Sequence, residues 1–132
     1  MFSHITLGSN DLKRSRDFYD AVLPILGLSR RFYDEESGWV IYAPPGETSG
    51  GFFVCRPIDG KPASVGNGTT IGLLAPDPET VNRFFDAAIS AGGKAEGAPG
   101  TRPNYSPDFY GAYVRDPEGH KICCMCLLEQ EA

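Results

Sequence analysis

His4-Ile5-Thr6-Leu7-Gly8-Ser9-Asn10-Asp11, running directly into Leu12-Lys13-Arg14-Ser15-Arg16-Asp17-Phe18-Tyr19-Asp20, reads as a strand that passes into a helix. The stretch has an echo. A shift of sixty-six residues, half of the 132-residue chain, lays Asp11 on Asp77, Phe18 on Phe84, Tyr19 on Phe85, Asp20 on Asp86 and Ala21 on Ala87. The same shift lays Ile5 on Ile71, Leu7 on Leu73 and His4 on Thr70. Self-similarity at a fixed offset marks a repeated supersecondary unit. The chain therefore reads as one unit written twice, with a histidine in one copy where the other has a threonine.

Working outward, Asn10 or Asp11 is placed to cap the first helix by accepting from the orphan N–H groups of its first turn. Leu12, Ser15, Phe18, Tyr19 and Val22 recur at spacings of three or four and form its buried stripe. Pro24 and Gly27 are expected to stop it. Strands are predicted at 28–33, 39–42 and 51–55, and the proline-containing 44–50 segment is a loop. The segment 57–68, rich in Gly, Pro, Ser and Asn, is a linker. In the second copy a strand at 69–74 leads to Asp77-Pro78, a capping side chain followed by a residue that needs no N–H partner at the first helical position. Val81, Phe84, Phe85 and Ala88 give that helix its apolar face, and Gly92 suits its C-terminal cap. A short strand at 94–96, an irregular segment at 97–107 and strands at 108–115 and 120–128 complete the copy. Asp116-Pro117-Glu118-Gly119 matches a type I turn residue for residue. The order is β-α-β-β-β twice, an α+β chain. One helix covers one face of each sheet, so the other faces, side by side, make a cup suited to a small molecule.

Composition narrows the function. A formal charge of −5 argues against nucleic acid, because phosphate-binding proteins need clustered cations. The cluster Lys13, Arg14 and Arg16 sits among Asp11, Asp17 and Asp20 and reads as a solvated helix face. No apolar run is long enough to cross a bilayer. No export signal is visible, so reduced thiols and a cytoplasmic location are expected for Cys55, Cys123, Cys124 and Cys126.

The strand bearing His4, followed by Asp11, Leu12, Ser15, Phe18, Tyr19, then Leu26-Gly27, resembles the vicinal oxygen chelate superfamily, the glyoxalase, bleomycin-resistance and extradiol-dioxygenase group. Gly66-Asn67-Gly68 and Tyr113-x-x-Asp116-Pro117-x-Gly119-His120-Lys121-Ile122 resemble the same group, and the likeness spans essentially the whole chain. It implies one glyoxalase-like domain, with a first module over about 1–56, the linker at 57–68 and a second module at 69–128. It implies a homodimer as well. It also implies a divalent metal held in the cup by His, Glu or Gln side chains. Position by position, those ligands fall on His4, on Thr70, on Cys123, and among Phe52, Phe53 and Val54. Only His4 matches. Catalytic zinc takes three protein ligands plus water, and magnesium or manganese prefers oxygen donors, so no metal or other cofactor is expected.

The remaining candidates divide by chemistry. His4 is expected to line the pocket or core, with acid–base work as its chemical option. His120 is expected to be a solvent-exposed turn residue. Cys124 and Cys126 read as buried small hydrophobes and Cys123 as a cup-facing thiol, since strand neighbours point to opposite faces. Tyr105, Phe109, Tyr110 and Tyr113 cluster around the proline-rich segment. Tyr105 lies in a loop near the expected cup mouth, Tyr113 is a further ligand-binding candidate, and Arg56, Lys61 and Arg102 are candidates to hold a carboxylate or phosphate there. The leading expectation is a small-molecule-binding protein without the family metal. The alternatives are a Zn-, Ni-, Mn- or Fe-dependent lyase, isomerase or dioxygenase of the glyoxalase type, and a non-catalytic dimeric scaffold.

Overall fold

Both helices start in the same way. Asp11 accepts a hydrogen bond from the Arg14 N–H at 3.2 Å, and Asp77 accepts one from the Thr80 N–H at 2.8 Å. These are the two aspartates that the internal repeat superposes. In the computed structural model, which describes residues 1–46 and 49–129, the elements are β1 (His4–Gly8), α1 (Leu12–Val22), a 3-10 turn (Leu23–Leu26), β2 (Ser29–Asp34), β3 (Trp39–Ala43), β4 (Gly51–Cys55), β5 (Ile71–Leu74), α2 (Pro78–Ser90), β6 (Lys94–Thr101), β7 (Phe109–Arg115) and β8 (Lys121–Leu127). Positions 47 and 48 of the expected loop, and the last three residues of the chain, lie outside the described residues.

The strands form two four-stranded sheets with the orders β1-β4-β3-β2 and β5-β8-β7-β6. In each, the first strand runs parallel to the last strand of its copy, and the other pairs are antiparallel. This is the βαβββ unit twice, with the strand order preserved.

Period-two alternation decides which face each side chain takes. Val40 and Tyr42 on β3, and Phe52 and Val54 on β4, are buried on the helix side. Their neighbours Trp39, Ile41 and Phe53 point outward and are half-buried. In the second sheet Ala112, Val114, Ile122, Cys124 and Cys126 face the helix and are buried. One continuous apolar cluster joins both copies, with Phe18, Tyr19 and Val22 from α1 meeting Phe84 and Ala88 from α2. Thus the inward faces share a core and the outward faces stay open.

Three local expectations change. Pro24 does not end α1 directly. It sits inside the 3-10 turn, where its missing N–H costs nothing, and Gly27 closes that turn at φ +85°. The segment at 97–107 is not irregular throughout, because β6 continues to Thr101. It tolerates Pro99 because β6 is an edge strand and its register shifts between Gly97 and Gly100. His120 is not a solvent-exposed turn residue. It is 8% exposed, and its Nε2 hydrogen-bonds the Gly8 carbonyl oxygen at 2.7 Å, tying the second module to the end of β1.

The 116–119 turn is itself part of that tie. Gly119 N–H donates to the Asp116 carbonyl at 2.9 Å, closing the turn. Glu118 Oε1 then accepts from Asn10 N–H at 2.7 Å, Asp11 N–H at 3.1 Å and Ser9 Oγ at 3.2 Å. A carboxylate from one copy thereby satisfies orphan donors at the helix start of the other.

Candidate functional site

The outward face of the first sheet is largely aromatic. The His4 ring stacks on Phe53 with centroids 4.4 Å apart and planes 14° apart. Trp39 meets the same Phe53 edge-on at 6.4 Å. Ile41 pairs with Phe53 across the ladder and with Phe32 on the other side. His4 is exposed, and its Nδ1 lies 2.8 Å from Ser3 Oγ. Its place is a flat stacking surface, with a serine rather than a carboxylate beside the ring.

His4 and Thr70, the residues that the repeat superposes, do come together. Both line an apolar groove of about 330 Å³ between β1 and β5, with Ile5, Phe52, Ile71 and Leu73 among its walls. The groove exposes edge strands from both copies.

The outward face of the second sheet has different chemistry. Tyr113 on β7 pairs directly with Cys123 on β8, so the two side chains emerge on the same face. Arg102, Tyr105 and Tyr113 line a cavity of about 230 Å³ together with Glu96, Gly97 and Lys121. Tyr105 meets Phe109 edge-on at 5.5 Å. Burial pushes the Tyr113 hydroxyl up to about 12, with Cys123 and then Tyr105 adding to the effect. It is therefore a neutral donor at physiological pH. Burial also raises the Cys123 thiol, partly offset by Tyr113 and by the charges of Arg102 and Lys121. A protonated, 5% exposed thiol is a poor nucleophile.

These residues do not fit the metal that the resemblance implies. Thr70 carries a neutral hydroxyl, a weak ligand, and Cys123 has Tyr113 rather than a second donor of the family kind as its cross-strand partner. Phe52, Phe53 and Val54 offer no donor atom. Among the described residues no three His, Cys, Asp or Glu side chains cluster so as to hold an ion.

Arg56 and Lys61 do not join Arg102. They line a separate cavity of about 630 Å³ near Trp39, Ile58 and Pro57. Arg56 is occupied there: its guanidinium donates to the Glu35 carboxylate at 3.2 Å and to the Glu35 and Glu36 carbonyls. The anion-binding expectation therefore narrows to Arg102. Two groups of site residues were missed. Lys121 is legible in retrospect, because it stands two positions before Cys123 on the same strand face. Phe32, Trp39, Ile41 and Phe53 follow from the same period-two count on β2, β3 and β4, together with the ladder register.

Comparison with known proteins fits this geometry. Residues 1–124 match the model of the Glyoxalase/Bleomycin resistance protein/Dioxygenase superfamily. A crystal structure of a glyoxalase/bleomycin resistance protein from Albidiferax ferrireducens T118 is similar, at 41% identity and a TM-score of 0.84, covering 96% of this chain and 98% of that one. A glyoxalase-related enzyme from Fulvimarina pelagi shares the fold at 20% identity and a TM-score of 0.74, covering 96% and 87%. No curated protein gives a significant sequence match. Among the described residues no helix is long and apolar enough to cross a membrane. With two βαβββ units, matching strand order and a family match over nearly its whole length, the chain belongs to the glyoxalase/bleomycin resistance protein/dioxygenase superfamily.

Proposed function

We propose that this protein binds a small, partly aromatic organic molecule on the open faces of its sheets, without a resident metal ion or other cofactor. The observation that carries the reading is the substitution of the family's donor positions. His4 is stacked on Phe53, Thr70 stands where the repeat calls for a second ligand, and Cys123 lies buried beside Tyr113. Aromatic surface and a neutral phenol remain, and these hold organic ligands by stacking and hydrogen bonding. Each open face also exposes apolar side chains, Phe32 at 46% on the first and Leu74 and Leu127 at 73% and 60% on the second. Exposed apolar area on a face that also carries a pocket supports a homodimer in which a second copy covers part of it.

The test is a thermal-shift panel of small aromatic compounds, charged and neutral, run on chelator-treated protein. The reading expects saturable stabilisation by some of them, with amide shifts at Phe53, Thr70 or Tyr113. If no compound stabilises the stripped protein and added Zn, Ni or Mn restores binding, the reading is wrong.

A further inference from the structure

The cavity on the second sheet is lined by two cations, Arg102 and Lys121, and by one acid, Glu96, whose carboxylate feels the Lys121 charge without bonding to it. Neither cation takes part in an ion pair among the described residues. The one carboxylate in the wall, Glu96, is committed to Arg115 through bonds of 3.1 and 3.2 Å. The Arg102 Cζ stands 5.9 Å from the Tyr113 ring centroid and the Lys121 Nζ 5.2 Å from it, so one phenol ring carries both charges. This occurs in a chain whose net charge is −5.

The guanidinium is also seated. It donates to the Ala98 carbonyl at 2.7 Å and to the Thr101 carbonyl at 3.1 Å. It lies across two glycines of β6: a Cβ on Gly97 or Gly100 would come within 3.1 or 3.3 Å of its nitrogens. An arginine oriented by backbone carbonyls, with no carboxylate partner, keeps its positive charge available to a ligand.

We infer that this cavity binds the carboxylate of a small, flat organic acid, with Arg102 and Lys121 supplying the charge and the aromatic wall of Tyr105 and Tyr113 supplying contact for the ring. The inference rests on the reading above and specifies the ligand class at that site. The Tyr113 hydroxyl, held neutral, adds a donor to the carboxylate. An organic acid suits the site better than inorganic phosphate, because two of the six lining residues, Tyr105 and Tyr113, offer flat rings that a phosphate would leave unused.

The test uses benzoate, its neutral isostere benzamide, and inorganic phosphate, with binding followed by amide shifts of the full chain. Benzoate is expected to shift Gly97, Arg102, Tyr105 and Tyr113 saturably, at least tenfold more tightly than benzamide. Arg102→Gln with Lys121→Gln is expected to weaken benzoate at least tenfold while melting within a few degrees of the parent. Equal affinity for benzoate and benzamide overturns the inference yet leaves a neutral-ligand cup standing. Phosphate competing as well as benzoate also overturns it, in favour of a simple anion site. Absence of binding by all three, in a protein that the aromatic panel does stabilise, removes this cavity and not the reading. Absence of binding in both experiments removes both. The wild-type comparison of the two isosteres requires no variant to fold.

Discussion

The Tyr19 hydroxyl donates to Asp116 Oδ2 at 2.6 Å, joining two buried groups from opposite copies of the repeat. The other oxygen of Asp116 accepts from the N–H groups of Glu118, Gly119 and His120 at 2.9–3.0 Å. Four donors on one carboxylate are what let it stay buried. Tyr19→Phe removes one donor and nothing else of comparable size. It should cost about 1–3 kcal/mol in urea unfolding, the usual penalty for an unpaired buried acceptor. A loss below a few tenths would mean that water or a rearranged turn replaces the phenol.

The same phenol gives the protein an alkaline limit. Burial, with Asp116 beside it, raises the Tyr19 hydroxyl well above the ordinary phenol range. The folded state thus holds this proton after an unfolded tyrosine, at about 10, has lost its own. The contribution is complete below about pH 10 and is lost as pH rises further. Urea midpoints at about pH 9, 10 and 11 should fall progressively, and the fall should be shallower in Tyr19→Phe. Parallel curves would assign the alkaline loss to other groups.

Burial raises the thiol pKa of all four cysteines, Cys124 to about 12. A buried thiol is slow to react both because it is screened and because little thiolate is present. At about pH 8 the native protein should react with a disulfide reagent far more slowly than free cysteine, and rapidly once unfolded. One fast native thiol, mapped to Cys123, would instead mark a nucleophile facing the cup.

Gly93 is fixed by a close approach rather than by its backbone angle. A Cβ there would lie 2.9 Å from the Ala88 and Arg115 carbonyl oxygens and from the Phe18 ring. Backbone on two sides cannot yield as a flexible side chain does. Gly93→Ala should therefore cost about 1–3 kcal/mol, in the range of core overpacking, measured as a drop in the thermal midpoint. An unchanged midpoint would show that α2 and β7 can separate there at little cost.

Periodicity and the sixty-six-residue echo were enough to place both helices, their aspartate caps and the β-α-β-β-β order. These depend on local rules: a stripe at three and four, a carboxylate before the first turn, Gly92 at a left-handed φ of +101°. Tyr113, Arg102 and Tyr105 line one cavity, brought together by β7 and the loop that precedes it. What stayed hidden was long-range. No local rule assigns His120 to the Gly8 carbonyl or Glu118 to the start of α1, because each pairing spans more than a hundred residues. Arg56 looked free for a ligand because its partners, Glu35 and the Glu35 and Glu36 carbonyls, lie in the turn between β2 and β3, two strands earlier in the chain. The length of β6 was missed because Pro99 reads as a breaker unless the strand is known to be an edge.

The central claim is that a scaffold of this superfamily works here without the ion its relatives' donor positions would hold. The direct measurement is metal content, by mass spectrometry, of protein purified from medium supplemented with Ni, Zn and Mn. The account predicts well under one ion per chain, with no difference between the parent and His4→Ala. About one ion per chain in the parent, lost in His4→Ala, would contradict it.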